Sequence, residues 1–139
     1  MKTLVLVLLL IIPTLCFSQK VEVSDSLITA DAKPYAKIVK DNNFQYTISD
    51  LTGKPVIIIK YESTVSSSRV MAANPRGYVY YANFFFLETK QVAQSEEVMA
   101  KLKKIANEMV KNKLFIDGKL DLKAADNYIL INPVVWKKG

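Results

Sequence analysis

The sequence predicts an α+β domain: an antiparallel β-meander of four to five strands covered on one face by two C-terminal helices. Two observations carry this expectation. Between about residues 27 and 87, apolar residues alternate with polar ones or run in short β-branched and aromatic blocks separated by turn residues. From residue 95 onward the apolar spacing changes to that of an amphipathic helix. A run of strands followed by a run of helices is the order of an α+β two-layer sandwich.

The first eighteen residues read as a leader. Lys2 supplies a positive charge, Leu4 to Ile12 form an apolar core, Pro13 breaks it, and Cys16 and Ser18 stand at −3 and −1 of a cleavage site. That order predicts a cleaved signal peptide over residues 1–18 and a single α+β domain over 19–139. The apolar core is too short for the roughly 20 residues a membrane span requires, so no transmembrane segment is expected after cleavage. The alternative, a lipoprotein anchored at Cys16, meets a bulky Leu15 where such signals carry a small residue. The expected location is therefore exported, periplasmic or extracellular.

In the mature part, the residues from Ser26 to Asp41 read as two short strands around a turn at Ala30 to Lys33. Phe44, Tyr46 and Ile48 alternate with Gln45, Thr47 and Ser49, predicting a strand with one dry face. A turn at Asp50 to Lys54 leads into a return strand opened by Pro55, whose missing N–H is tolerated there. Residues 63–77, rich in serine and holding Asn74-Pro75 and Gly77, read as a long loop with room for a brief strand at Val70-Met71.

The stretch from Tyr78 to Leu87 follows, with Tyr78, Tyr80, Ala82, Phe84 and Phe86 on one face and Val79, Tyr81, Asn83, Phe85 and Leu87 on the other. Both faces call for dry neighbours, and two helices supply them for one face only. The first helix is expected over 95–113, with Ser95 as N-cap, Glu96 and Glu97 in its first turn, and Val98, Leu102, Ile105 and Met109 as its apolar stripe. The second follows Asp121 as N-cap and buries Leu122, Ala125, Tyr128 and Ile129. The surplus aromatic row is expected to be covered by the Trp136 tail, by the N-terminal segment, by sheet coiling or by another molecule.

Composition excludes much chemistry. Histidine is absent, and the single cysteine lies in the leader. Cysteine and histidine nucleophiles, histidine bases and the common zinc and copper sites are therefore out of reach of the mature chain. No Ser-x-x-Lys pair and no glycine-rich phosphate loop occur. Asp117 to Asp121 lacks the glycine position and closing Glu of a calcium loop and reads as a turn followed by an N-cap. No cofactor or metal is expected, and the chain does not read as an enzyme. The precursor's net charge of +6 becomes +5 with the loss of Lys2, but no long basic run exists, and together with export this argues against nucleic acid.

The candidate binding residues are Arg69, Arg76, Tyr78, Tyr80 and Tyr81. The only two arginines both lie in the 63–77 loop, and guanidinium forks beside tyrosine rings suit an anionic or glycan-like ligand. The leading expectation is thus an exported, non-enzymatic binding or envelope-associated protein. A homo-oligomer using strand 78–87 as its interface is the alternative. A hydrolase built on Glu62 and Glu88 with Asp50 near by is a third reading.

Overall fold

A computed structural model describes residues 19–96, 98 and 100–138; residues 1–18, where the signal peptide and the alternative Cys16 anchor are expected, lie outside the described residues, as do Glu97 and Met99. Seven strands form one sheet: β1 (Val21–Ser24), β2 (Leu27–Ala30), β3 (Lys33–Asn42), β4 (Gln45–Ser49), β5 (Pro55–Val65), β6 (Tyr78–Phe86) and β7 (Gln91–Ser95). Their spatial order is their chain order, and each strand runs antiparallel to the next. Helices α1 (Leu102–Lys111) and α2 (Leu122–Ile131) follow, separated by a small hairpin of β8 (Phe115–Ile116) and β9 (Lys119–Leu120). The meander, its α+β class and its two helices are as expected. The strand count is higher.

One extra strand, β1, comes from a tight turn at Asp25-Ser26. Asp25-Ser26 and Asp31-Ala32 both hold positive φ at two successive residues, which is the I′ geometry that matches the twist of a two-residue hairpin. The last, β7, replaces the start of the expected first helix. Ser95 is no N-cap: it is the final strand residue, buried and opposite Ala82, and α1 begins only at Leu102 after Lys101. Strand β6 would otherwise be an unpaired aromatic edge, and pairing it outweighs a local capping signal at Ser95-Glu96. The expected strand at Val70-Met71 shrinks to a single bridge between Met71 and Asn74.

The inner face is organised in transverse rows. Ile38, Ile48, Ile57 and Phe86 stand side by side across β3 to β6, and Tyr46, Ile59, Phe84 and Ala93 form the next row across β4 to β7. All eight are buried, each large one contributing on the order of 1.5–3 kcal/mol by leaving water. Ile105, Ala106, Met109 and Val110 of α1 and Ala125 and Tyr128 of α2 close this layer. Leu102 and Leu122, expected in the apolar stripes, are partly exposed, and Phe44 in the β3–β4 turn is largely so. Each stands at an element's end, where its neighbouring layer stops.

Tyrosine hydroxyls tie the layers together. Tyr35 donates to the Met109 carbonyl at 2.9 Å and accepts from the Phe115 N–H at 3.0 Å, with its ring edge-on to Phe115. Tyr46 donates to the Ala100 carbonyl at 3.0 Å, which fixes the connection leading into α1. Tyr128 sets its ring edge-on to Phe84 and donates to Glu108 of α1 at 3.1 Å. Asp121 caps α2 as expected, accepting from the Lys123 N–H. No helix among the described residues is long and apolar enough to cross a membrane.

Candidate functional site

The outer face answers the question of the surplus row. Val79, Tyr81 and Asn83 are buried, and Phe85 lies half-buried beneath the Lys60 ammonium, 5.5 Å from its ring centroid. Much of the cover comes from the chain's own end. Gln94 of β7 donates to Asn83 at 2.9 Å and to the Trp136 carbonyl at 2.9 Å, while its carbonyl oxygen accepts the N–H groups of Val135 and Trp136. Its backbone N–H meanwhile donates to the Asn132 carbonyl, so the tail folds around the edge of β7. Asn83 in turn donates to Glu62 at 2.9 Å. Glu62, Asn83, Gln94 and the tail backbone thus form one polar chain across three strands and the C-terminus.

The long β5–β6 connection is a closed structure. Ser66 and Gly77 are joined by a backbone bond, a short 3-10 turn covers Ser67–Arg69, and Asn74 brackets Tyr78 by accepting its N–H at 3.0 Å and donating to its carbonyl at 2.9 Å. This anchor positions the far end of β6. There Tyr78 and Tyr80 lie on the inner side of the ribbon, opposite Val65 and Ser63. Tyr80 is 69% exposed. The two rings stack with centroids 6.1 Å apart and planes 29° apart. Arg76 reaches the Tyr78 hydroxyl at 3.4 Å. A hollow of about 490 Å³ opens beside them, lined by Arg76, Tyr78, Tyr80 and the Ala73–Pro75 turn.

Of the five candidate residues, the structure brings Arg76, Tyr78 and Tyr80 together and places the other two elsewhere. Arg69 turns back toward β7, where it pairs with Glu96 at 3.0 Å and lies over the Trp136 ring at 5.4 Å. Tyr81 faces the opposite side of β6, as strand alternation requires. Its hydroxyl is sealed from solvent beside the Glu62 carboxylate. Desolvation first, and then the neighbouring Glu62 carboxylate, raise its pKa, so the phenol stays neutral. Tyr61, on the inner face of β5, is likewise held neutral, chiefly by burial.

The three carboxylates weighed for hydrolysis do not meet. Glu62 opposes Tyr81, whereas Glu88 follows the other end of β6, roughly 20 Å away at about 3.3 Å per strand residue. Paired glycosidase carboxylates stand within about 10 Å of each other. Asp50 is engaged in its own turn, accepting from the Thr52 hydroxyl and from the N–H groups of Thr52 and Lys54. The Thr52 hydroxyl is the main cause of its lowered pKa.

Sequence reasoning missed Gln94, Asn83 and Glu96. The available signal was Asn83, an amide in a run of aromatics, which demands a polar partner once buried. Comparison with protein-family models, with curated proteins and with solved structures returns no match.

Proposed function

We propose that the mature chain is an exported, non-enzymatic binding protein, periplasmic or extracellular, whose ligand face is the Arg76–Tyr78–Tyr80 platform. The observation carrying this reading is the exposed, stacked tyrosine pair with a guanidinium at its edge. Ring faces open to solvent suit the apolar face of a sugar, and Arg76 suits a carboxylate, sulfate or phosphate on it. The ligand class is therefore an anionic glycan or a related anion carrying a flat apolar face. Export rests on the leader's charge, apolar core and cleavage site.

A titration of the secreted protein with an acidic oligosaccharide, followed by the tyrosine ring signals, tests the site. Arg76→Ala and Tyr80→Ala each weaken binding roughly tenfold, the scale of one charge-assisted contact or one stacking face, while Arg69→Ala leaves it unchanged. Equal affinity in all three variants would sink the platform.

A second reading is a homo-oligomer. The exposed Val65, Val70 and Met71 near the tyrosine pair favour it. Light scattering separates the two readings, since a dimer that dissociates in Tyr80→Ala assigns the patch to a subunit interface.

A further inference from the structure

The end of α2 and the tail after it leave large apolar side chains in water. Leu130 is 80% exposed, Val135 is 69% exposed, and Ile131 and Val134 between them in sequence stand open too. Leu130 and Ile131 are about 100° apart around the helix at 3.6 residues per turn. Val134 and Val135 are successive residues of the tail, so this apolar surface is open on more than one side. The stretch is nevertheless held in place. The Gln94 backbone N–H donates to the Asn132 carbonyl, and the Gln94 side chain accepts from the N–H groups of Val135 and Trp136. The exposed residues therefore belong to a fixed turn of folded chain, not to a fraying end.

Charge at this end is one-sided. Lys137 and Lys138 follow Trp136, both exposed, and no Asp or Glu occurs from Asn127 to Gly139. Helix α2 itself is neutral, with Lys123 against Asp126. Ile131, Val135 and Trp136 line a hollow of about 400 Å³ that also holds Glu96, Glu108 and Lys111. There Glu96 is paired with Arg69, and Glu108 has Lys111 on the same wall. The excess charge of this end is that of Lys137 and Lys138.

A bilayer surface fits this combination better than a protein does. A second protein covers one side of such a turn, whereas lipid headgroups close around it. In a two-fold pairing of this chain the patch would meet its own copy, and the stretch holds no carboxylate to receive the lysines. We infer that residues 130–138 form a docking surface for an anionic phospholipid bilayer. The four apolar side chains enter the boundary between headgroups and acyl chains, and the lysine stems bend back to keep their ammoniums among the phosphates. Helix α2, with ten residues, is far short of the roughly 20 that a span requires, so the chain lies in the interface and does not cross it. The inference does not depend on the Arg76 platform.

The test is flotation of the folded mature protein with vesicles of phosphatidylcholine alone and of phosphatidylcholine and phosphatidylglycerol in equal parts. The protein floats with the anionic vesicles and not with the neutral ones, and high salt weakens the association. Emission of Trp136, the only tryptophan, moves to shorter wavelength on binding. Neutralising both lysines, Lys137→Gln with Lys138→Gln, weakens binding roughly twenty-five-fold, about fivefold for each charge. Leu130→Ser with Val135→Ser weakens it roughly tenfold or more. All four residues are exposed, so both variants melt as the parent protein does. Arg76→Ala floats unchanged, which separates this surface from the platform. The inference is overturned if the protein ignores anionic vesicles, if neutral vesicles bind it equally, or if the double-serine variant still floats. A dimer in light scattering that the double-serine variant dissolves would likewise overturn it and give the patch to a second copy.

Discussion

Gln94 serves Trp136 as a strand would: its side-chain oxygen accepts the Trp136 N–H at 2.7 Å and its amide nitrogen donates to the Trp136 carbonyl at 2.9 Å. One carboxamide thereby satisfies both backbone groups of a tail residue that no strand pairs.

Replacing Gln94 with Ala removes these bonds and leaves Asn83 without its buried partner. The expected loss is about 2 kcal/mol in urea unfolding, the scale of several modest hydrogen bonds and one unsatisfied buried group. Trp136 is the only tryptophan. Its emission moves to longer wavelength in the variant, and an unchanged spectrum would show that the tail is held by something else.

The turn at Asp50 makes stability depend on pH. Its carboxyl titrates below its ordinary value, first through the Thr52 hydroxyl and then through the Lys54 and Thr52 N–H groups. A depressed folded-state pKa means the stabilisation is complete above the unfolded value of about 3.9 and disappears as pH falls through the folded value. Asp50→Ala is therefore less stable at pH 7, and its stability falls less steeply between pH 5 and 3. Parallel acid profiles for the two proteins would contradict the assignment.

Gly118 is constrained twice. Its φ is +76°, and an added Cβ would collide with the Leu51 side chain, which the β8–β9 turn meets through a Leu51 N–H to Gly118 carbonyl bond. Gly53 also has positive φ, yet nothing surrounds its missing Cβ. Gly53→Ala should cost about 1 kcal/mol for backbone conformation alone. Gly118→Ala should cost about 1 kcal/mol or more beyond that, because Leu51 must move. Equal melting temperatures would mean that the β4–β5 turn and the small hairpin are not packed together.

Ala32 carries the opposite opportunity. It holds φ +64° in the β2–β3 turn with no side-chain hydrogen bond to offset the left-handed conformation. Ala32→Gly should raise stability by about 0.5–1 kcal/mol, against the usual direction of such a change. A loss in thermal unfolding would show that the turn is not of the I′ type.

What could be read in the sequence was whatever rested on local pattern. Tyr46 and Ile48 announced a dry face by alternation, and Asp121 announced a helix by its capping chemistry. The β2–β3 turn fell within the stretch that composition marked for it. What could not be read depended on distant partners. Ser95 looks like a helix cap until β6 is known to need a neighbour. Arg69 and Arg76 look equivalent in the loop, and only the position of Trp136 and Glu96 divides them. Tyr81 differs from Tyr80 by strand parity, which the sequence displayed, but whether its face was open or covered turned on Gln94 reaching the tail.

The identity of chain order and spatial order has a consequence for how the molecule forms. Each strand after the first has its partner already synthesised beside it, so each pairing closes only the connection just made, short in every case but β5–β6, at a small entropic cost. Contacts between the layers are another matter: Tyr35 meets Met109 and Phe115 across separations of 74 and 80 residues. A chain that emerges from its N-terminus can therefore build its hairpins one after another. The sheet then waits, with its inner rows bare, for the residues from Leu102 onward to arrive and close it. Local pairing in the sheet thus precedes the long-range docking of the helices, and the half-built sheet with bare inner rows is the species exposed to aggregation.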